Sequence, residues 1–84
     1  MEPQFVKRRI VYALYNRFGV EVREDDIRIT RVVERERIIR YRNTLVPVRE
    51  IRYYFYAQTP RGLVKGYAYF DSKGGSGVVT RVRG

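Results

Sequence analysis

The sequence predicts an α+β domain: one N-terminal helix packed on a curved antiparallel sheet of about four strands, which at its most curved would form a half-barrel. Three observations lead to this prediction. One segment near the N-terminus has its apolar residues at helical spacing, Val and Ile far outnumber Leu, and turn signals separate long β-branched runs. A chain of 84 residues has room for one core, so we treat residues 1–84 as a single domain.

The predicted helix covers residues 6–18. Pro3 suits a helix start, and Gly19 suits the position just past the end, where a left-handed backbone is needed. The apolar residues recur at spacings of three and four, so they share one face that consists of Val6, Ile10, Ala13, Leu14 and Phe18. We expect this face to pack on the sheet.

Positive charge dominates the composition. Eighteen basic residues oppose nine acidic ones, which gives a formal net charge of +9, and all but three of the basic residues are arginines. Arginine stays ionised, presents a planar fork to phosphate and stacks on flat rings. A charge of this size on a small surface also attracts polyanions. We therefore expect the partner to be a nucleic acid.

Several of these cations lie on the predicted helix. Lys7, Arg8 and Arg17 are expected on the side away from the apolar face. Lys7, Arg8 and Arg9 also fall in the first turn, where positive charge opposes the helix dipole. Because this placement does not favour the helix, we include Lys7, Arg8 and Arg9 among the candidate nucleic-acid-binding residues.

Four strands are predicted after the helix, over residues 27–42, 45–59, 63–71 and 78–83. Pro47 is expected at a bulge or a sheet edge. Residues 72–77 are rich in Gly and Ser and predict a flexible loop rather than a phosphate-binding loop. The adjacent acids Glu24, Asp25 and Asp26 predict a turn or cap rather than a metal site.

The second and third strands are joined by Thr59-Pro60-Arg61-Gly62, which has a turn signature. If this turn closes a tight hairpin, four apolar pairs form one face: Ala57 with Val64, Phe55 with Gly66, Tyr53 with Ala68, and Ile51 with Phe70. The opposite face pairs Tyr56 with Lys65, Tyr54 with Tyr67, and Arg52 with Tyr69. A slip of one residue would mix the two sets. We call the second set, and the side of the sheet on which it lies, the tyrosine face.

Tyrosines among cations on a sheet face suit the binding of single-stranded nucleic acid. Stacking of a base on an aromatic ring contributes about 1–3 kcal/mol per base, and cations follow the phosphates. The function we predict is therefore nucleic-acid binding of low sequence specificity. Its candidate residues are the three helix cations and the members of the tyrosine face, Arg52, Tyr54, Tyr56, Lys65, Tyr67 and Tyr69.

Part of the third strand resembles a known element. The run Lys65-Gly66-Tyr67-Ala68-Tyr69-Phe70 is similar to the RNP1 element of the RNA recognition motif family. In that family, aromatic residues at the positions of Tyr67 and Tyr69 stack on bases. The resemblance ends at Ser72, where the family has an aromatic residue, so we interpret it as a local similarity and not as membership of the family.

Two alternatives remain open. The tyrosine face could be buried in a homodimer or another protein–protein contact. The chain could also be a metal-independent, toxin-like endoribonuclease that uses Arg, Lys and Tyr. The absence of Cys and His removes disulfides, thiolate metal sites and the usual proton carriers. We therefore expect no enzymatic activity, no metal and no cofactor.

The sequence also gives expectations about the cellular location and the source of the protein. No run of about 20 apolar residues that could span a membrane is present, and the N-terminus does not have the pattern of a signal peptide. We expect an intracellular protein that makes no contact with membranes. Few Asn, Gln and Met residues and a charged fraction of 32% fit thermophile proteins, so an archaeal or viral source is expected.

Overall fold

The computed structural model describes residues 3–82. One helix, α1 (Gln4–Phe18), is followed by a single 3-10 turn (Glu24–Asp26) and by four strands: β1 (Ile27–Tyr41), β2 (Thr44–Thr59), β3 (Gly62–Asp71) and β4 (Ser76–Val82). The strands form an antiparallel sheet in the order β1-β2-β3-β4, which is curled but not closed. The predicted fold class is confirmed. Arg83, the predicted end of the last strand, lies outside the described residues.

Helix α1 has the predicted boundaries to within two residues. Pro3 is extended, with φ −73° and ψ 115°, and the helix begins directly after it. Gly19 adopts a left-handed conformation, with φ 63°, that a side chain would disfavour. Its amide donates to the carbonyl of Tyr15, and the amide of Val20 donates to the carbonyl of Leu14. These bonds satisfy carbonyls that the end of the helix leaves open.

The core lies between α1 and one side of the sheet. Val6, Ile10 and Leu14 of the helix are fully buried. They pack with buried residues of the four strands, namely Ile27, Phe55, Ala57, Val64, Ala68 and Val78. At one end of this core the Phe5 ring makes edge contacts with the rings of Tyr53 and Phe70. We call this side of the sheet the helix-side face.

Lys7 corrects the sequence prediction. Its side chain was expected on the exposed side of the helix, but only 8% of the residue is accessible to solvent. Lys7 precedes Ile10 by three residues and Leu14 by seven, so it continues the same buried row along the helix. A lysine can lay its aliphatic stem along apolar neighbours in such a position. Lys7 is therefore part of the packed side of α1.

The predicted β2–β3 register is found without change. Phe55 lies opposite Gly66, Tyr54 opposite Tyr67, and the other predicted pairs are also present. A Cβ atom at Gly66 would overlap the carbonyl oxygen of Val79 on β4, so β3 and β4 approach closely only because this residue is glycine. The apolar and tyrosine sets therefore lie on opposite sides of the sheet, as predicted.

The turn between β2 and β3 is closed by a side chain. The Thr59 hydroxyl donates to the carbonyl of Gly62 at 2.7 Å and accepts from the amide of Arg61 at 3.1 Å. Gly62 has φ 112°, a conformation that favours glycine. The two residues that connect the strands are Pro60 and Arg61, and Pro60 has no amide hydrogen to donate. The Thr59 hydroxyl supplies hydrogen bonds that hold this connection.

The hairpin of β1 and β2 extends past the end of β3. Asp71, the last residue of β3, lies opposite Glu50, so the first part of β2 pairs with β1 alone. Pro47 lies in this segment, which is a sheet edge on one side, as predicted. The register shift is elsewhere, between Ile29 and Arg31 of β1, so the predicted alternative of a bulge at Pro47 is wrong. No helix among residues 3–82 is long and apolar enough to span a membrane.

Replacement of a core isoleucine should destabilise the protein much more than replacement of a surface isoleucine. Ile10 is fully buried, whereas Ile38 is 67% exposed on the hairpin extension. We expect Ile10→Ala to lower the free energy of unfolding by about 2–5 kcal/mol, because it removes buried surface and leaves a cavity. Ile38→Ala should change it by less than about 0.5 kcal/mol. Urea denaturation measures both, and equal losses would contradict the placement of the core.

Candidate nucleic-acid interface

The tyrosine face lies on the side of the sheet opposite to helix α1. Its cross-strand pairs form rows that run across all four strands. The first row, which we call the basic row, is nearest the turn between β2 and β3 and contains Arg28, Tyr56, Lys65 and Arg81. The second row contains Arg31, Tyr54, Tyr67 and Val79. The third row contains Val33, Arg52, Tyr69 and Gly77.

A β-bulge in β1 brings two arginines to this face. The β1–β2 register shifts between Ile29 and Arg31, which makes Thr30 the extra residue. The Thr30 hydroxyl donates to the carbonyl of Tyr54 at 3.3 Å across the bulge. Arg28 pairs with Tyr56 and Arg31 pairs with Tyr54, so both arginines lie on the tyrosine face although they are three residues apart. Strict alternation along a strand would place them on opposite faces.

Arginine and tyrosine side chains pack against one another within the face. The Arg31 guanidinium carbon lies 4.5 Å from the centre of the Tyr54 ring, and that of Arg52 lies 4.4 Å from the centre of the Tyr67 ring. The Tyr54 and Tyr67 rings are 5.3 Å apart. Cation–π contacts of this kind hold a guanidinium over a ring and restrict its motion. The cations are therefore held in place before any ligand binds.

Arg52 has a different role from the one predicted for it as an exposed cation. Its side chain is only 16% exposed, and its Nε lies 3.5 Å from Oε1 of Glu50, a fully buried residue. Arg37 approaches the same Glu50 oxygen at 3.4 Å. A buried carboxylate needs such cations, because an unpaired charge in this position is costly. Arg52 thus supports the face from within and balances Glu50.

Tyr54 is affected by the cations around it. A hydrogen bond from Arg52 and the positive charges of Arg52 and Arg31 favour the phenolate and lower the pKa of Tyr54, while partial desolvation opposes this. The same hydrogen bond raises the pKa of Arg52. The Tyr54 hydroxyl is therefore more acidic than an ordinary tyrosine.

The accessible part of the tyrosine face is mostly basic. Tyr56 is 38% exposed, and Tyr54, Tyr67 and Tyr69 are half-buried. The exposed cations of the first two rows are Arg28, Arg31, Lys65 and Arg81. None of these four makes an ion pair with an acidic residue within residues 3–82. Their charges are therefore available to an anionic ligand.

A pocket of about 470 Å³ opens between the basic row and the second row. Among the residues that line it are Thr30, Tyr54, Lys65, Tyr67, Val79 and Arg81. In the third row, the Tyr69 side chain lies close over Gly77. A Cβ atom at Gly77 would come within 2.6 Å of the Tyr69 hydroxyl. The absence of a side chain at Gly77 thus allows the Tyr69 ring to pack directly against the sheet.

The sequence prediction found only part of this surface. Tyr54, Tyr56, Lys65, Tyr67 and Tyr69 come together as expected, whereas Arg28, Arg31 and Arg81 were not among the candidates. Arg81 could have been found by extending the rows to β4, since it lies directly opposite Lys65. Arg28 and Arg31 depend on the bulge, for which the sequence has no Gly or Pro signal.

The remaining cations predicted on the helix lie apart from this face. Arg8 is exposed, and the Arg9 guanidinium lies 5.9 Å from the centre of the Tyr12 ring, both on α1. Because α1 packs on the helix-side face, Arg8 and Arg9 cannot act together with the tyrosine face on one short ligand. Lys7 is buried.

The Gly-rich segment between β3 and β4 is organised by Asp71. One carboxylate oxygen of Asp71 accepts hydrogen bonds from the amides of Lys73 and Gly75, at 2.9 and 2.8 Å. These amides are therefore engaged within the chain. The loop is also shorter than predicted, since β4 begins at Ser76. Within the described part of the chain, no group of three acidic residues is arranged to hold a metal ion.

Comparison with known proteins finds no matching family model, no similar curated protein and no similar solved structure.

Removal of a neighbouring cation should make Tyr54 less acidic. We expect Arg52→Gln and Arg31→Gln each to raise the pKa of Tyr54 towards its ordinary value, because each removes a positive charge that favours the phenolate. NMR titration of ring-labelled tyrosine measures this directly. Arg31→Gln is the safer variant, since Arg52 also balances buried Glu50.

The matched control for this titration is Arg40→Gln. Arg40 lies opposite Leu45 on the hairpin extension, far along β1 from Tyr54. The Tyr54 titration should be the same in this variant as in the unaltered protein. An equal shift in all three variants would show that net charge, and not proximity, sets the acidity of Tyr54.

Proposed function

We propose that this protein binds single-stranded nucleic acid with low sequence specificity through the tyrosine face, without catalysing a reaction. The observation that carries the proposal is the combination, on one open side of the sheet, of partly exposed tyrosines and cations that have no acidic partner within residues 3–82. The intracellular location expected from the sequence is part of this proposal.

The phosphate contacts are assigned to Arg28, Arg31, Lys65 and Arg81. All four are exposed and none is neutralised by an acid of the described chain. Their binding to phosphates would release counterions, which makes affinity depend steeply on salt. Arg31 is held over the Tyr54 ring, so little side-chain entropy is lost when its guanidinium meets a phosphate.

The bases are assigned to the tyrosines. Tyr56 offers the most accessible ring of the face, and Tyr54, Tyr67 and Tyr69 each present part of a ring. Every base has a flat π-surface, so stacking tolerates any sequence. A duplex hides the flat surfaces of its bases within the stack, and for this reason the proposal favours a single strand.

The homodimer alternative meets an electrostatic obstacle. If two copies buried their tyrosine faces against each other, Arg28, Arg31, Lys65 and Arg81 of one copy would approach the same cations of the other. These charges would lose water without gaining a partner, which is costly. Sedimentation at low salt tests the alternative: a stable dimer that Tyr54→Ala with Tyr67→Ala dissociates would favour it over nucleic-acid binding.

The ribonuclease alternative would use Arg, Lys and Tyr, and the lowered pKa of Tyr54 makes its hydroxyl a candidate base for a 2′-hydroxyl. Its neighbour Arg52 is engaged with buried Glu50, and the chain has no His or Cys. We therefore expect RNA to remain intact after prolonged incubation with excess protein, as judged on a denaturing gel. Cleavage that disappears in Tyr54→Phe would establish the enzyme instead.

Binding should depend on the tyrosine face and on salt. We expect a labelled single strand to bind with an affinity that falls with salt at a logarithmic slope of about −3, as four phosphate contacts would give. The double variant Tyr54→Ala, Tyr67→Ala should weaken binding at least about tenfold, because two stacking surfaces are lost. Fluorescence anisotropy measures both effects.

The chain offers a matched control for this variant. Tyr12 and Tyr15 lie on the outer side of α1 and are 65% and 57% exposed. Tyr12→Ala with Tyr15→Ala removes the same atoms and should leave affinity unchanged. If the first double variant is unfolded by circular dichroism, Tyr56→Ala serves in its place, because that ring is exposed. No binding at low salt by the unaltered protein would refute the proposal.

A further inference from the structure

Two cations face each other at the pocket of the tyrosine face. Lys65 on β3 and Arg81 on β4 are direct cross-strand partners, and both line the pocket. Both are exposed, and neither has an acidic partner in the part of the chain that the structure describes. Like charges directly opposite each other destabilise a sheet. This unfavourable pair lies on the rim of the pocket.

Charge is distributed unevenly along the tyrosine face. The basic row has three cations, Arg28, Lys65 and Arg81, and no acid. Beyond the third row, the next row contains the acids Glu50 and Asp71, opposite each other, together with Arg35 on β1. Negative charge on a ligand is therefore favoured most strongly at the end of the face near the turn between β2 and β3.

The basic row suits a phosphate monoester better than the phosphodiester inside a strand. A diester has a single negative charge, whereas a terminal monoester has nearly two at neutral pH and three strong acceptor oxygens. Lys65 and Arg81 lie on adjacent strands, about 5 Å apart at the backbone, so both can reach one phosphate. The two positive charges of Lys65 and Arg81 match the two negative charges of a phosphate monoester.

The pocket next to this pair has the size and the walls for one nucleoside. Its volume of about 470 Å³ lies within the range of about 300–1,000 Å³ that small-molecule sites occupy. Two tyrosines, Tyr54 and Tyr67, and the apolar residue Val79 are among its lining residues, as is the polar residue Thr30. A base can lie against the rings while its phosphate meets the rim.

We propose that this pocket, with Lys65 and Arg81 on its rim, is a subsite for the terminal nucleotide of a single strand that ends in a phosphate monoester. The proposal rests on the proposed function, since the rest of the strand lies along the tyrosine face. The subsite gives the protein a preference for phosphorylated ends, while binding to the rest of the strand does not depend on its sequence.

The test compares three oligonucleotides of identical sequence with a 5′-phosphate, a 3′-phosphate or no terminal phosphate. Competition against a labelled strand gives the affinity of each. We expect one of the two phosphorylated forms to bind about tenfold more tightly than the unphosphorylated strand, as an additional charge-assisted contact would give. The form that gains identifies which end enters the pocket.

Matched variants separate the subsite from general charge. Lys65→Ala with Arg81→Ala should abolish the gain from the terminal phosphate. Arg40→Ala with Lys73→Ala also removes one arginine and one lysine, both exposed and away from the pocket, and should preserve the gain even if overall affinity falls. Because the Lys65 and Arg81 charges repel each other, their removal should leave the thermal midpoint unchanged or raise it.

Each remaining outcome has one meaning. Equal affinity for the three strands, equal gains from both phosphates, or a gain that survives Lys65→Ala with Arg81→Ala overturns the subsite and leaves the proposed function intact. Failure of all three strands to bind at low salt overturns the proposed function itself.

Discussion

The pairing of β2 with β3 determines what each side of this sheet can do. Because side chains alternate along a strand, a slip of β2 by one residue would turn Tyr54 towards helix α1 and expose Phe55, while Tyr67 on β3 would stay on the other side. The Thr59 hydroxyl holds the turn at one end of the pairing. Near the middle, Gly66 lies opposite Phe55 and allows β4 to approach. The core and the tyrosine face are thus two consequences of one register.

The bulge at Thr30 adds a second constraint, which acts on charge. It inverts the alternation of β1 from Arg31 onwards, so that Arg28 and Arg31 join the same side of the sheet. Further along β1, the acids Glu34 and Glu36 then fall on the helix-side face, opposite Ile51 and Arg49. From Arg31 to Arg37, the basic residues of β1 thereby lie on the tyrosine face and the acidic residues on the helix-side face. Part of the excess positive charge of the chain is thereby concentrated on the tyrosine face.

Helix α1 packs on the other side of the sheet, and the tyrosine face is stabilised by contacts among its own side chains. Cation–π contacts join Arg31 to Tyr54 and Arg52 to Tyr67, and buried Glu50 balances Arg52 and Arg37. The cations of the basic row have no acidic partner within residues 3–82. A surface of this kind is ordered before it meets a ligand, so less conformational entropy is lost on binding. Lys65 and Arg81 repel each other across the strands, so a bound anion would relieve this repulsion.

Local sequence determined the architecture and most of the aromatic surface. Helical spacing together with Pro3 and Gly19 predicted α1, and turn signatures predicted the hairpins, because these depend on contacts between residues close in the chain. Tyr54, Tyr56, Lys65, Tyr67 and Tyr69 followed from one short hairpin whose register is set by its own turn. The sequence also determined the net charge, though not its arrangement.

Tertiary structure decided which cations belong to the site. Lys7 is buried because α1 lies across the sheet in a way that covers its row, and Arg52 is drawn inwards by Glu50, whose burial arises from the folded sheet. Arg28 and Arg31 reach the tyrosine face through a bulge, and Arg81 through pairing with β3. Each of these outcomes depends on neighbours distant in the chain, since burial, bulges and pairing across strands exist only once the strands have come together.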